Sequence, residues 1–411
     1  MEPQVQRIII IGAGCFGLSA ILELSRDEAF SQTHITIVSA SEIPDKNCSS
    51  FDINRIMRTD YTNSLYASLA AEALEKWRHS DWGKEGRFTE SGLLMLSEAK
   101  DGYIASALDL ARSRGQEKNI AEVEGDDAIF EACTAGGKSG SWGYLNRHAG
   151  WTDAARSLEY AYDELKKLGR TEIVIGTVSR LLVEKFANAQ SRITGVKLDD
   201  GRTYPADLTV LAAGAKSPML IDMRGVAVAS GEVLSYMTLS PEESNRLHDM
   251  PAIINLSKGW FVIPPNGNEL KIARHRQGFL NSRHYSHPQI DDDIELSIPS
   301  WDSHDKERML ERGLGACREA LGELIPWLAE REFDRTRICW YTDTTKGDFI
   351  IDYHPDFIGL FVTTGGSGHA FKFMPVIGRR IVDALQRKLE ASYQKLWSWP
   401  EQKANVTPVD V

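Results

Sequence analysis

Short apolar runs and longer amphipathic stretches follow one another along the chain in an order that predicts an α/β fold. Arg7-Ile8-Ile9-Ile10-Ile11 is β-branched without polar alternation, the texture of a strand buried on both faces. It leads straight into Gly12-Ala13-Gly14-Cys15-Phe16-Gly17, a helical stretch over Leu18 to Leu24, and a second β-branched run, His34-Ile35-Thr36-Ile37-Val38. Thr171-Glu172-Ile173-Val174-Ile175, Leu208-Thr209-Val210-Leu211-Ala212-Ala213-Gly214 and Leu360-Phe361-Val362-Thr363-Thr364 repeat the strand signal. An amphipathic helix is predicted from Trp151 to Leu168, closed by Gly169, and another from about Pro375 to Leu389. Strand, glycine turn and helix thus recur at the start, middle and end of the chain, which implies one nucleotide-binding domain assembled from separated segments.

Two intervening stretches differ. Gly92-Leu93-Leu94-Met95-Leu96 and Glu269-Leu270-Lys271-Ile272-Ala273-Arg274-His275 read as strands of a second sheet. The expected division is a discontinuous Rossmann-like domain from 1–85, 148–220 and 333–395, and an α+β substrate-facing domain from 86–147 and 221–332. That second domain carries a mixed or antiparallel sheet, and 396–411 forms a polar, frayed tail.

Composition narrows the class. With 411 residues, 42% hydrophobic and 26% charged, the chain is neither disordered nor fibrous. No apolar run approaches the roughly 18 residues of a membrane span. The balance of 47 basic against 58 acidic residues gives −11, which argues against nucleic acid or an anionic membrane as partner. The five cysteines are scattered without a CxxC spacing, so neither a disulfide framework nor a metal site is expected. With no signal peptide seen and no Ser-Lys-Leu ending, a cytoplasmic location is the expectation.

The glycine motif stands in the context that gives it meaning, after a strand and before a helix. Gly12 permits the tight turn, Gly14 lets backbone approach a pyrophosphate, and Gly17 allows close helix–strand packing. The helix N-terminus adds free N–H groups and partial positive charge. The acidic ribose partner expected at the end of the second strand is replaced by Ser39, with Glu42 nearby. The motif alone does not separate FAD from NAD.

The C-terminal third is more specific. Cys339-Trp340-Tyr341-Thr342-Asp343, Phe349-Ile350-Ile351-Asp352, His354-Pro355 and Thr364-Gly365-Gly366-Ser367-Gly368-His369-Ala370-Phe371-Lys372-Phe373 resemble the monomeric sarcosine oxidase family. That family, within the D-amino acid oxidase superfamily, also includes pipecolate and saccharopine oxidases, N-methyltryptophan oxidase and fungal fructosyl amino acid oxidases. Ser49-Ser50-Phe51-Asp52-Ile53-Asn54-Arg55-Ile56-Met57-Arg58, Gly150-Trp151-Thr152-Asp153-Ala154 and Val210-Leu211-Ala212-Ala213-Gly214-Ala215 extend the resemblance over nearly the whole chain.

The resemblance implies an FAD-dependent amine oxidase that uses O2, releases hydrogen peroxide and carries its flavin covalently on Cys339. It assigns Arg58 and Lys372 to the substrate carboxylate, and Arg55 to a position close to the flavin ring. By itself an Arg55-x-x-Arg58 spacing would be one face of a helix. Lys271 matches a lysine that assists oxygen reduction, where a cation stabilises developing negative charge. His275 and Tyr341 match active-site residues, and strand alternation puts Lys271, Ala273 and His275 on one face. The catalytic candidates are therefore Lys271, His275, Arg55 and Tyr341, with Arg58, Lys372, Tyr61 and Arg274 as substrate contacts. The cofactor candidates are Gly12, Gly14, Phe16, Gly17, Ser39, Ser49, Ser50, Val178, Gly214, Cys339, Gly366, Gly368, His369 and Lys372. The family is commonly monomeric or peroxisomal, and a monomer is expected.

Fructosyl amino acid oxidases carry an acidic pair where this chain has Arg274-His275-Arg276-Gln277-Gly278. That inversion favours a secondary-amine amino acid of saccharopine, pipecolate or sarcosine type over a fructosyl amine. A biosynthetic amine oxidase acting on a natural-product intermediate is an alternative. A nucleotide-fold scaffold without turnover has no chemical need for Cys339, Lys271, Lys372, Arg55 and Arg58 together. The amine must react neutral, and a cationic pocket of Arg55, Arg58 and Lys372 would lower its pKa. No general base is assigned from the sequence.

Overall fold

The isoleucine run Arg7–Ile11 lies inside a six-stranded sheet in the order Ile350–Tyr353, Leu360–Thr364, Leu208–Leu211, Arg7–Ile11, His34–Ser39, Thr171–Ile175. All its pairings are parallel except that of Ile350–Tyr353 with Leu360–Thr364. The computed structural model describes residues 5–186, 189–276, 278–290, 292–300, 306–401 and 406. Most of the polar tail, and Gln277 of the arginine-rich stretch, lie outside the described residues.

Both faces of this sheet are covered, which is why its strands are apolar without alternation. One face, with Ile8, Ile10 and Ile35, packs against helices Cys15–Arg26, Ala154–Leu168 and Met374–Leu385. The other, with Ile9, Ile11 and Val38, meets Leu181, Ile193, Val196 and Leu198. Those residues belong to a small four-stranded sheet built from Val178–Phe186, Ala189–Leu198, Thr203–Pro205 and Phe357–Ile358, which the hydrophobic pattern did not reveal.

Helix bounds differ from the sequence reading in physically sensible ways. The first helix begins at Cys15, inside the glycine motif. Gly150–Thr152 is a strand, and Asp153 caps the following helix by accepting from Arg156 N at 3.0 Å; Gly169 ends it in the left-handed conformation. The last predicted helix stops at Leu385.

The second sheet has eight strands, in the order Arg335–Thr344, Ala227–Thr238, Glu269–Arg274, Trp260–Asn266, Ala252–Asn255, Leu93–Ser97, Trp142–Asn146, Ile120–Glu124. Only Ala252–Asn255 with Leu93–Ser97 is parallel. Arg335–Thr344, grouped from sequence with the nucleotide-binding segments, is instead an edge strand here, pairing along its full length with Ala227–Thr238. The chain thus carries Cys339 on the second sheet and the glycine motif on the first. The segment from Cys48 to Arg58 bridges them.

Candidate active site

The glycine turn is closed by contacts that a side chain would destroy. Gly12 has φ +103°, and a Cβ there would stand 2.5 Å from Ala212 O. A Cβ on Gly17 would lie 1.9 Å from Gly12 O. Gly14 is different: its nearest neighbour would be the Ser50 hydroxyl at 3.2 Å, so its glycine keeps open the space above the turn. Gly14 caps the first helix without a side-chain hydrogen bond, leaving first-turn N–H groups for an anion. Ser50 Oγ accepts from Cys15 N at 2.9 Å, tying the bridging segment to that helix end.

The bridging segment lies across the face of the edge strand that bears Arg337, Cys339 and Tyr341. Arg337 donates to Phe51 O and Cys48 O, both at 2.6 Å. Ser49 Oγ bonds Trp340 O, and Arg55 Nη2 donates to Ser49 O at 2.6 Å and approaches Cys339 Sγ at 3.6 Å. Cys339 is fully buried. Asp52 is the hub of the segment. Its Oδ1 accepts from Tyr236 Oη at 2.8 Å; its Oδ2 pairs with Arg55 and accepts from Lys271 Nζ at 3.1 Å. Lys271 also donates to Asn54 O at 2.5 Å, while Asn54 Oδ1 is buried without a protein partner. Burial alone would raise the Asp52 carboxyl, but Arg55 and Lys271 outweigh it and hold it well below the usual carboxylate range. Burial draws Lys271 down to about 8 despite Asp52.

A second cluster surrounds Arg58 and Lys372, which are 7% and 4% exposed. Arg58 donates to Tyr103 Oη at 3.0 Å and lies 4.7 Å from the centre of the Tyr61 ring. Lys372 donates to Tyr61 Oη at 3.0 Å and to His369 O at 2.7 Å. Tyr61 Oη bonds His369 Nδ1 at 3.0 Å, and His369 Nε2 lies 2.8 Å from Gly347 O. Neither cation forms an ion pair with a carboxylate among the described residues, in contrast to Arg55 and Lys271. His275 lies just past the strand Glu269–Arg274, its ring 5.2 Å from that of Tyr341. The turn at Gly368 packs onto both: a Cβ there would stand 2.5 Å from the His275 ring and 3.0 Å from that of Tyr341.

Three expectations change, and one residue of the site is new. Arg55 and Arg58 do not share a helix face: Arg55–Met57 is a strand, and the two guanidinium groups turn to different partners. The cationic pocket is narrower than the sequence implied, because Asp52 offsets Arg55 and Lys271. Arg274 is not brought to Lys271; it shares the sheet face of Leu270 and Ile272 and lines a surface cavity of about 510 Å³ with Trp260, Lys258 and Glu319. The new residue is Asp52, which carries no local signal because its partners Tyr236 and Lys271 lie far along the chain. The remaining cofactor candidates spread along the first sheet. Ser39 ends its strand, Val178 packs against the apolar cluster that includes Val38, and Gly214 opens the turn after Leu208–Leu211. Phe16 and Gly366 face each other at 3.6 Å, measured to the Cβ that Gly366 lacks.

A family model described as FAD dependent oxidoreductase matches residues 7–384. Amino acid oxidase imqH of Aspergillus flavus is 31% identical, over 97% of this chain and 98% of that protein. L-saccharopine oxidase of Schizosaccharomyces pombe is 28% identical over 96% and 93%. The crystal structure of the deglycating fructosamine oxidase of Aspergillus fumigatus superimposes with a TM-score of 0.82 at 28% identity, covering 96% of this chain and 90% of that one. The residues fit the cofactor: a side-chain-free turn at a helix N-terminus, with the Ser50 hydroxyl beside it, suits a pyrophosphate, and a buried thiol beside a guanidinium suits a flavin ring. The chain belongs to the FAD dependent oxidoreductase family.

Proposed function

We propose that this FAD-dependent enzyme oxidises the C–N bond of a secondary-amine amino acid of saccharopine, pipecolate or sarcosine type to an imine, and reduces O2 to hydrogen peroxide. The observation that carries this reading is the pair Arg58 and Lys372, two buried basic side chains with no ion-pair partner among the described residues. An isolated buried cation is costly, and a substrate carboxylate would relieve it. The names of relatives, an amino acid oxidase and a saccharopine oxidase, point the same way.

When bound, FAD supplies the two-electron acceptor. The glycine turn and Ser50 would hold its pyrophosphate, and Cys339 would anchor its ring through a thioether. Arg58 and Lys372 hold the substrate carboxylate, so the amine is oriented toward His275 and Tyr341. Tyr61 and His369 keep Lys372 in place. Lys271, fixed by Asp52 and Asn54 O, offers positive charge where oxygen gains electrons.

A deglycating oxidase is a second reading. Glu232 is 5% exposed and directly opposite Cys339 in the sheet register, so it supplies an acid to that wall from another strand. A peroxide assay over saccharopine, pipecolate, sarcosine and fructosyl glycine separates the two. Peroxide from fructosyl glycine alone would replace the first reading with the second.

A further inference from the structure

An amino acid reaches the site as a zwitterion, yet only a neutral amine can give up a hydride equivalent. One proton must therefore leave the substrate nitrogen. The hydrogen bonds around Lys372 have a fixed direction that bears on where it goes. Gly347 O can only accept, so His369 carries its proton on Nε2, and Nδ1 must accept from the Tyr61 hydroxyl. The Tyr61 oxygen in turn accepts from Lys372 Nζ, whose other partner is the His369 carbonyl. Lys372 is thus held by two neutral acceptors, with one tetrahedral position of Nζ left over.

The groups in contact with it supply no negative charge. The segment after Arg55–Met57 contributes Arg58 and Tyr61; its buried carboxylate, Asp60, accepts from Tyr144 and Asn146 and forms no hydrogen bond or ion pair with Lys372. The first helix contributes the Cys15 thiol, pushed up to about 12 mainly by burial and therefore uncharged. Helix Ser64–His79 contributes the Trp77 indole, which donates to Lys372 O at 2.8 Å. His369, on the same turn as Lys372, is held neutral chiefly by burial. An ammonium in this setting loses its water, gains no counter-charge and meets a guanidinium, the conditions under which a lysine sheds its proton. Burial and Arg58 accordingly draw Lys372 well below the ordinary lysine range. Lys271, paired with Asp52, provides the internal contrast.

We infer that Lys372 meets the substrate as an uncharged amine, takes the proton of its ammonium group, and so becomes the cation that holds its carboxylate. The N–H bond of the substrate ammonium breaks and its electron pair stays on the substrate nitrogen; the Nζ lone pair forms the new N–H bond. Charge is conserved within the complex, and no proton is exchanged with solvent. One transfer meets two needs, a neutral amine for oxidation and a charged partner for the carboxylate. In an α-amino acid the two groups are attached to the same carbon, so a single side-chain amine can serve both. The inference rests on the carboxylate reading above.

The test is calorimetric binding of two ligands of matching shape to the flavin-loaded enzyme at neutral pH, in buffers of different ionisation enthalpy. Pivalate has the carboxylate alone. α-Aminoisobutyrate replaces one methyl by an ammonium group and has no hydrogen on its α carbon to lose. Pivalate is expected to draw about one proton from solution and α-aminoisobutyrate none. In Lys372→Arg, whose charge is permanent, pivalate should bind without proton uptake. Pivalate binding to the wild type without uptake, or uptake that persists in Lys372→Arg, would overturn the inference. Pivalate that does not bind, or binds as tightly to Arg58→Met and Lys372→Met, would overturn the carboxylate reading instead.

Discussion

Asp52 Oδ2 lies 3.1 Å from Lys271 Nζ, and neither side chain is more than 1% exposed. The pair joins the segment that bridges the two sheets to the central strands of the second, and Arg55 and Tyr236 complete it. Removing one partner from a buried ion pair leaves the other uncompensated, typically at about 3–5 kcal/mol. Asp52→Asn should therefore lower unfolding free energy by about that amount, read as a shift in denaturant midpoint. The double variant Asp52→Asn, Lys271→Met should recover part of the loss, because the stranded charge is gone. Equal destabilisation of single and double variants would show that the pair does not act as a unit.

Lys271 also predicts a pH dependence. With a folded pKa near 8, its charge is present below that pH and lost above it. The rate of flavin reoxidation by O2 should fall as pH rises through about 8, and the fall should vanish in Lys271→Met. For stability the sign is opposite. Between about 8 and the ordinary value of 10.5 the unfolded chain binds more protons at this group than the folded one, so its contribution to stability rises with pH across that window. Stopped-flow reoxidation of photoreduced enzyme across the range measures the first effect.

The glycine turn separates folding from cofactor binding. Gly17→Ala brings a methyl group into the Gly12 carbonyl and should disturb the packing of the first helix on its strand, lowering the melting temperature even without flavin. Gly14→Ala meets only a hydroxyl that can rotate, so the apoprotein should melt normally while FAD affinity drops. Melting curves and flavin titrations of the two apoproteins check this; normal FAD binding by Gly14→Ala would contradict the placement of the pyrophosphate.

Cys339→Ala should release its flavin on acid precipitation, leaving a colourless pellet where the wild type gives a yellow one. A yellow pellet from the variant would move the anchor elsewhere.

The sequence made some of this legible and hid the rest for physical reasons. The isoleucine strand and its glycine turn are local, so Gly12, Gly14 and Gly17 announce both their fold and their chemistry. The motif around Cys339 identified a functional strand but not its sheet, because pairing with Ala227–Thr238 depends on residues about a hundred positions away. Arg55 and Arg58 were read on a helical period where the backbone is extended, which merged two sites into one. Asp52 remained silent, since its partners Tyr236 and Lys271 come from distant strands and no spacing encodes them.

The most direct measurement is anaerobic flavin bleaching by saccharopine, pipecolate and sarcosine, each beside its carboxamide, in wild type and in Arg58→Met. The account predicts that at least one of the acids bleaches the flavin, that its amide does so at least tenfold more slowly, on the order of one lost charged hydrogen bond, and that Arg58→Met removes the difference. No bleaching by any acid, or an amide that reacts as fast as its acid, would contradict it.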